Sequence, residues 1–171
     1  MNILITGKPG AGKTTLVKRI SQELGSAAGG FYTEEIRNKG KRVGFKVNGL
    51  DGATAVLAHV EAKSEYRFSK YAVLKEGFER IALPALEKAL SDSKVIIIDE
   101  IGPMELFSDN FKTLILEIFD GSRVVIATIK HKGTPFIEDL KKRKDVKLFT
   151  LTKENFDSIL TDILRLFNIQ K

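Results

Sequence analysis

Gly7-Lys8-Pro9-Gly10-Ala11-Gly12-Lys13-Thr14 constrains this chain more than any other stretch. It follows Ile3-Leu4-Ile5, a short apolar run, and opens a segment with helical spacing. Every fixed position of G-x-x-x-x-G-K-[ST] is met, in the strand–loop–helix setting that a phosphate-binding loop needs. Glycines let successive backbone N–H groups turn toward an anion. The new helix adds free N–H groups and the positive end of its dipole. Lys13 supplies a compact positive charge for the outer phosphates, and Thr14 a hydroxyl for Mg²⁺. The expected nucleotide contacts are therefore Gly7, Lys8, Pro9, Gly10, Ala11, Gly12, Lys13, Thr14 and Thr15.

The rest of the chain alternates strand and helix patterns. Leu16, Val17, Ile20 and Leu24 share a helical face, and Gly25 is a natural stop. Ser26 to Gly30 reads as a small-residue connector. Phe31–Ile36, Val43–Val47 and Ala53–His59 are strand-like and joined by short turns, so they should pair antiparallel. This block interrupts the βαβ rhythm, and continuity with the main sheet is the favoured reading. Tyr66 to Val73 fits a short strand or a loop. Residues 75–91 read as a helix that Pro84 should kink or split. Val95 to Ile98 is a run of four β-branched residues, the mark of a strand covered on both faces. Ser108 suits the cap of a helix carrying Phe111, Leu114, Ile115 and Ile118. Val124–Ile129 is a further buried strand. Thr134-Pro135 opens a helix to about Lys144, and Val146–Leu151 is a last strand. Thr152 should cap a final helix striped by Phe156, Ile159, Leu160, Ile163, Leu164 and Phe167. The expected fold class is α/β with a largely parallel central sheet and an antiparallel hairpin block at about residues 29–60. No repeat, low-complexity tract or linker divides the chain, so residues 1–171 are expected to form a single domain.

The second half of a site follows the run Val95 to Ile98. Ligands collect at the carboxyl edge of an open α/β sheet. Asp99 holds that place and suits the Walker B carboxylate, a metal ligand through water. Glu100, the next residue, leaves the strand on the other side and can accept a proton from water lined up on the γ-phosphorus. Such a pair favours hydrolysis over transfer to another acceptor. Thr128, late in the next core strand, is a candidate sensor of the γ-phosphate or the water. Its plain alternative is a β-branched strand filler. Asp99-Glu100-Ile101-Gly102 also reads as D-x-x-G, a GTPase element. The nearest match to the partner element Asn-Lys-x-Asp is Thr152-Lys153-Glu154-Asn155, which lacks its carboxylate. Guanine selection is therefore not supported.

Composition narrows the classes. An apolar fraction of 43% and a charged fraction of 29% suit a soluble protein. With no cysteine, disulfides, thiolate metal sites and cysteine nucleophiles are excluded. No apolar run reaches spanning length, so no membrane is expected and the cytoplasm is the default. The net charge is +6. Lys141-Lys142-Arg143-Lys144 is the densest basic patch, and a solvated helix end explains it better than a nucleic-acid site.

The loop Gly7–Thr14, the stretch Gly29-Gly30-Phe31-Tyr32-Thr33-Glu34-Glu35-Ile36-Arg37 and the stretch Val95 to Glu105 together resemble the small P-loop nucleoside-triphosphatase family of thermophilic prokaryotes. That family includes the human cancer-related nucleoside triphosphatase. The resemblance implies a RecA-like three-layer P-loop fold and Mg²⁺-dependent hydrolysis of nucleoside triphosphates with broad base tolerance. By motif, Lys13 and Thr14 carry over as phosphate and Mg²⁺ contacts, Asp99 as metal carboxylate and Glu100 as base. Lys13 and Glu100 are thus the expected catalytic pair. Arg37 lies in the family-like stretch and is a candidate extra cation at the γ-phosphate; Arg42, Arg67 and Arg123 stay open. The expected partners are a nucleoside triphosphate and Mg²⁺ on a monomer, with nucleic acid not favoured. The alternatives are a small-molecule or nucleotide kinase, with Lys130–Lys144 as a basic lid, or a nucleic-acid-stimulated ATPase.

Overall fold

A computed structural model describes residues 1–167. Nine strands form one sheet in the order β5-β6-β4-β3-β2-β7-β8-β1-β9. The strands are β1 (Asn2–Thr6), β2 (Ala28–Asn38), β3 (Lys41–Gly49), β4 (Thr54–His59), β5 (Arg67–Phe68), β6 (Tyr71–Val73), β7 (Val95–Ile101), β8 (Val124–Ile129) and β9 (Val146–Thr150). The helices are α1 (Lys13–Leu24), α2 (Lys75–Asp92), α3 (Asp109–Asp120), α4 (Pro135–Lys141) and α5 (Phe156–Arg165).

The sheet is mixed. Strands β2, β7, β8, β1 and β9 pair in parallel, while β3, β4, β6 and β5 extend it through antiparallel pairs. The hairpin block continues the main sheet as expected, and residues 67–73 add a further small hairpin to it.

Strand alternation places the core on both faces of the sheet. Ile3, Ile5, Val95, Ile97 and Ile126 face α1 and α5. Leu4, Phe31, Ile96, Ile98, Val125 and Ala127 face α2, α3 and α4. Phe31, Phe78 and Phe111 meet edge to face at centroid distances of 5.7, 6.0 and 5.1 Å and tie β2 to α2 and α3.

Several boundaries differ from the sequence reading. Ala28 to Gly30 is strand, paired in parallel with Val95 to Ile97. Gly30 sits at φ 117°, and a Cβ there would strike the Ile97 carbonyl oxygen. The small residues serve close backbone approach, not a loop. Helix α2 runs unbroken through Pro84. Pro84 and Arg80 are both exposed, so the carbonyl that the proline leaves unpaired faces water. Helix α4 ends at Lys141, short of Lys144. Asn155, not Thr152, precedes α5. Thr152 and Asn155 instead exchange hydrogen bonds: the Thr152 N–H donates to Asn155 Oδ1 at 2.7 Å and the Asn155 N–H to Thr152 Oγ1 at 3.3 Å. Phe167 lies past the helix end but still packs on the α1–α5 side. Ser108 does cap α3, accepting from the Phe111 N–H at 3.0 Å.

Candidate active site

The loop after β1 turns inward at residues that only glycine fills without strain. Gly10 has φ 82° and Gly12, which precedes α1, has φ 100°. No side chain caps the start of α1. The first N–H groups of that helix thus remain open to an anion. The Ala11 N–H donates to the Lys8 carbonyl at 3.1 Å and closes the turn. Lys13 curls back over the loop, and its Nζ donates to the Gly7 carbonyl oxygen at 2.9 Å.

Asp99 stands near the carboxyl end of β7, between β8 and β2, and is 1% exposed. Thr128 Oγ1 donates to its Oδ1 at 2.5 Å. The Thr33 N–H donates to its Oδ2 at 3.3 Å. The Asp99–Glu100 peptide bond is cis. Burial raises the Asp99 pKa, and Thr128, Thr14, the Thr33 N–H and Lys13 act against that rise. Glu100 is also raised, first by burial and then by the Asp99 charge, with Lys13 and Lys130 opposing. Glu105 is raised well above its ordinary value, by burial first and the Glu100 charge second.

These groups share one cleft of about 600 Å³. Gly7, Pro9, Gly10, Ala11, Gly12, Lys13, Thr14 and Thr15 line it, and so does Glu100. Lys8 is exposed on the loop and does not line it. Asp99 and Thr128 lie beneath the floor, fully packed. The Thr128 hydroxyl donates to Asp99, and Thr128 is fully buried. Arg37 is not brought to the site. It pairs with Glu35 at 2.7 Å and donates to the Gly40 carbonyl at 3.0 Å, out on the β2–β3 hairpin. Arg42 reaches the cleft instead.

Sequence reasoning passed over Thr33, Glu105 and the positions of Lys130 and His131, all of which line the cleft. Glu105 carried one usable signal, a carboxylate six residues past Asp99 in an otherwise apolar stretch. Lys130 and His131 belong to the turn before α4. That helix is anchored by the buried Ile137 and Leu140, and Lys141 Nζ donates to the His131 carbonyl at 2.6 Å.

The cleft's oxygen donors suit a hard cation. Among the described residues no group of three or more His, Cys, Asp or Glu is arranged to hold a metal. A cation bound by Thr14 and Asp99 would complete its shell with phosphate oxygens and water, which is how Mg²⁺ is usually held.

A family model described as NTPase matches residues 2–164. The nucleoside-triphosphatase THEP1 of Thermotoga sp. (strain RQ2) is 47% identical over 171 residues, covering 100% of this chain and 98% of the relative. The human cancer-related nucleoside-triphosphatase is 40% identical, covering 95% of this chain and 94% of that protein. The crystal structure of THEP1 from Aquifex aeolicus superposes with a TM-score of 0.92 at 42% identity, over 97% of this chain and 98% of that one. The family model and these relatives span nearly the whole chain, and the chain belongs to the NTPase family.

Proposed function

We propose that the protein hydrolyses nucleoside 5′-triphosphates to the diphosphate and phosphate, with Mg²⁺ and little preference for the base. The observation that carries this reading is the placement of Glu100 in the same cleft as the uncapped start of α1 and Lys13. The triphosphate lies along the loop, held by its N–H groups. Lys13 exchanges the Gly7 carbonyl for phosphate oxygens. Thr14 and Asp99 would hold Mg²⁺, which would neutralise charge on the phosphate oxygens. Thr128 and the Thr33 N–H fix the Asp99 carboxylate and oppose the effect of its burial.

Glu100 accepts a proton from water as its oxygen bonds to the γ-phosphorus. The bond from that phosphorus to the β–γ bridging oxygen breaks, and the diphosphate leaves with the electron pair. A carboxylate raised toward neutrality is better matched to this task than an ordinary one. Phe156 stands beside Gly12, with ring carbons 3.6 Å from where a Cβ would be. We place the base on this side, where an apolar contact discriminates little among bases. A P-loop, RecA-like reading of the fold goes with this function, because β8 and its Thr128 lie between β1 and β7. We also infer a monomer working in the cytoplasm. No helix among the described residues is long and apolar enough to cross a membrane.

A phosphate-release assay across the common nucleoside triphosphates, with and without Mg²⁺ and with added nucleic acid, tests the reading. Release from all of them, only with Mg²⁺ and indifferent to nucleic acid, is the expected result. Release confined to one base, or dependent on DNA or RNA, contradicts it.

A further inference from the structure

The cleft of about 600 Å³ extends past the phosphate loop and Glu100. Sheet order gives its direction. From β1 and the phosphate loop the sheet passes through β8 to β7, then to β2, β3 and β4. Beyond Glu100 the lining is made by Phe45 of β3, Leu57 of β4, Phe68 and Tyr71 of the β5–β6 hairpin, and Met104. Hydrolysis leaves this apolar, ring-bearing end without a role.

The wall is held in place. Phe45 and Tyr71 meet edge to face at 5.2 Å. The Arg42 guanidinium lies 5.1 Å from the Phe45 ring centre and 5.9 Å from that of Tyr71. Its Nε donates to the Tyr71 hydroxyl at 2.9 Å and its Nη1 to Glu35 at 3.3 Å. Arg42 is thus already paired and stacked. On the other side Lys130 Nζ sits 5.3 Å from the Phe68 ring centre.

Among the described residues lining this cleft, two buried polar atoms have no hydrogen-bond partner, His131 Nδ1 and Glu105 Oε2. Glu105 is 2% exposed and lines the same cleft, yet its Oε2 has no hydrogen bond. A buried polar atom left unpaired is uncommon and costly unless something else satisfies it. Gly102 lies between this oxygen and Glu100: a Cβ there would be 2.7 Å from Glu100 Oε1 and 3.3 Å from Glu105 Oε2. The absence of a side chain at Gly102 lets both carboxyl groups face one space.

We propose that the far end of the cleft is an acceptor subsite for a small, uncharged, ring-bearing alcohol of nucleoside size, to which the γ-phosphoryl group passes in competition with water. The inference rests on the hydrolytic reading of Lys13, Asp99 and Glu100. The acceptor ring packs on Phe45, Tyr71 and Phe68, and Glu105 Oε2 hydrogen-bonds it and fixes its approach. The acceptor hydroxyl oxygen forms the new bond to the γ-phosphorus and the bond to the β–γ bridging oxygen breaks. The diphosphate leaves with that electron pair, and the hydroxyl proton goes to the Glu100 carboxylate. An uncharged acceptor fits because Arg42 is occupied by Glu35 and Tyr71 and Lys18 by Glu34, while Lys130, the cation at this end of the cleft, lies over the Phe68 ring.

The test is wild-type protein with γ-³²P-ATP, Mg²⁺ and, separately, adenosine, guanosine, cytidine, uridine, thymidine and pyridoxine, with nucleoside 5′-monophosphates as charged comparators. Labelled ester is separated from labelled phosphate. At least one uncharged probe is expected to yield a saturable ester, with its monophosphate poorer. Phe45→Ala should lower the ester-to-phosphate ratio about tenfold, as loss of one stacking face predicts, and Glu105→Leu, which removes the hydrogen-bonding group, should lower it as well. Binding of a non-cleavable ATP analogue checks that each variant is folded. Phosphate release with no ester from any probe overturns the subsite and leaves hydrolysis standing. An ester whose yield ignores both variants, or favours the monophosphates, also overturns it. No phosphate release in the probe-free reaction overturns the hydrolytic reading itself.

Discussion

Thr128 donates its hydroxyl to Asp99 Oδ1 at 2.5 Å, across the parallel pair of β8 and β7. That bond is the largest of the influences that offset the burial of the carboxylate. Replacing the threonine by valine keeps the shape and removes the donor. Thr128→Val is expected to raise the Asp99 pKa further. It should also cost about 1–3 kcal/mol of stability, the usual penalty for leaving a buried polar group short of a partner. The Mg²⁺ concentration for half-maximal phosphate release should rise. Thermal melts and a Mg²⁺ titration check both effects.

Lys13 holds the Gly7 carbonyl when no phosphate is present. A hydrogen bond to a charged group contributes about 1.5–3 kcal/mol, so Lys13→Ala should weaken nucleotide binding roughly ten- to hundredfold. Titration calorimetry with a non-cleavable triphosphate reads this directly. The fold should be little affected, since the lysine lies at the first turn of α1.

Glu105 gives a pH signature. Its folded pKa is raised above the ordinary 4.5 by burial. The folded state then binds a proton that the unfolded state has released, so stability falls as pH rises. The contribution is fully present below about 4.5 and is lost as pH passes through the raised folded value. Glu105→Gln is permanently neutral and should flatten this fall. Urea unfolding of wild type and variant at pH 5 and pH 8 is the measurement. A larger difference at pH 8, with the variant more stable there, is the expected outcome.

Gly30 pairs with Ile97 at φ 117°, where an added Cβ meets the Ile97 carbonyl. Gly30→Ala carries both left-handed strain and a backbone clash. It should cost about 3 kcal/mol or more. Ser108→Ala removes only the cap of α3 and should cost about 1 kcal/mol. Denaturant midpoints rank the two.

The parts of the site legible in the sequence were those encoded locally. The loop from Gly7 to Thr14 is a contiguous motif, and Asp99-Glu100 follows an unbroken apolar strand. The groups that reach the cleft by long-range pairing were not legible. Thr33 meets Asp99 across 66 residues, only because β2 runs in parallel beside β7. Arg37 and Arg42 are partners in the hairpin register, and nothing in their spacing says which one turns toward Tyr71. Ala28 to Gly30 looked like a connector because strand periodicity is written in side chains, and these residues have almost none. Pro84 suggested a break because sequence does not tell which side of a helix faces water.

The most direct test of the account is Glu100→Gln, measured for both binding and turnover. The change keeps size and polarity and removes the base. The account predicts that a non-cleavable triphosphate still binds within a fewfold of wild type. Phosphate release under saturating ATP and Mg²⁺ should fall by about 100-fold or more, the upper part of what a positioned base contributes. Release at the wild-type rate by a variant that binds normally would contradict it.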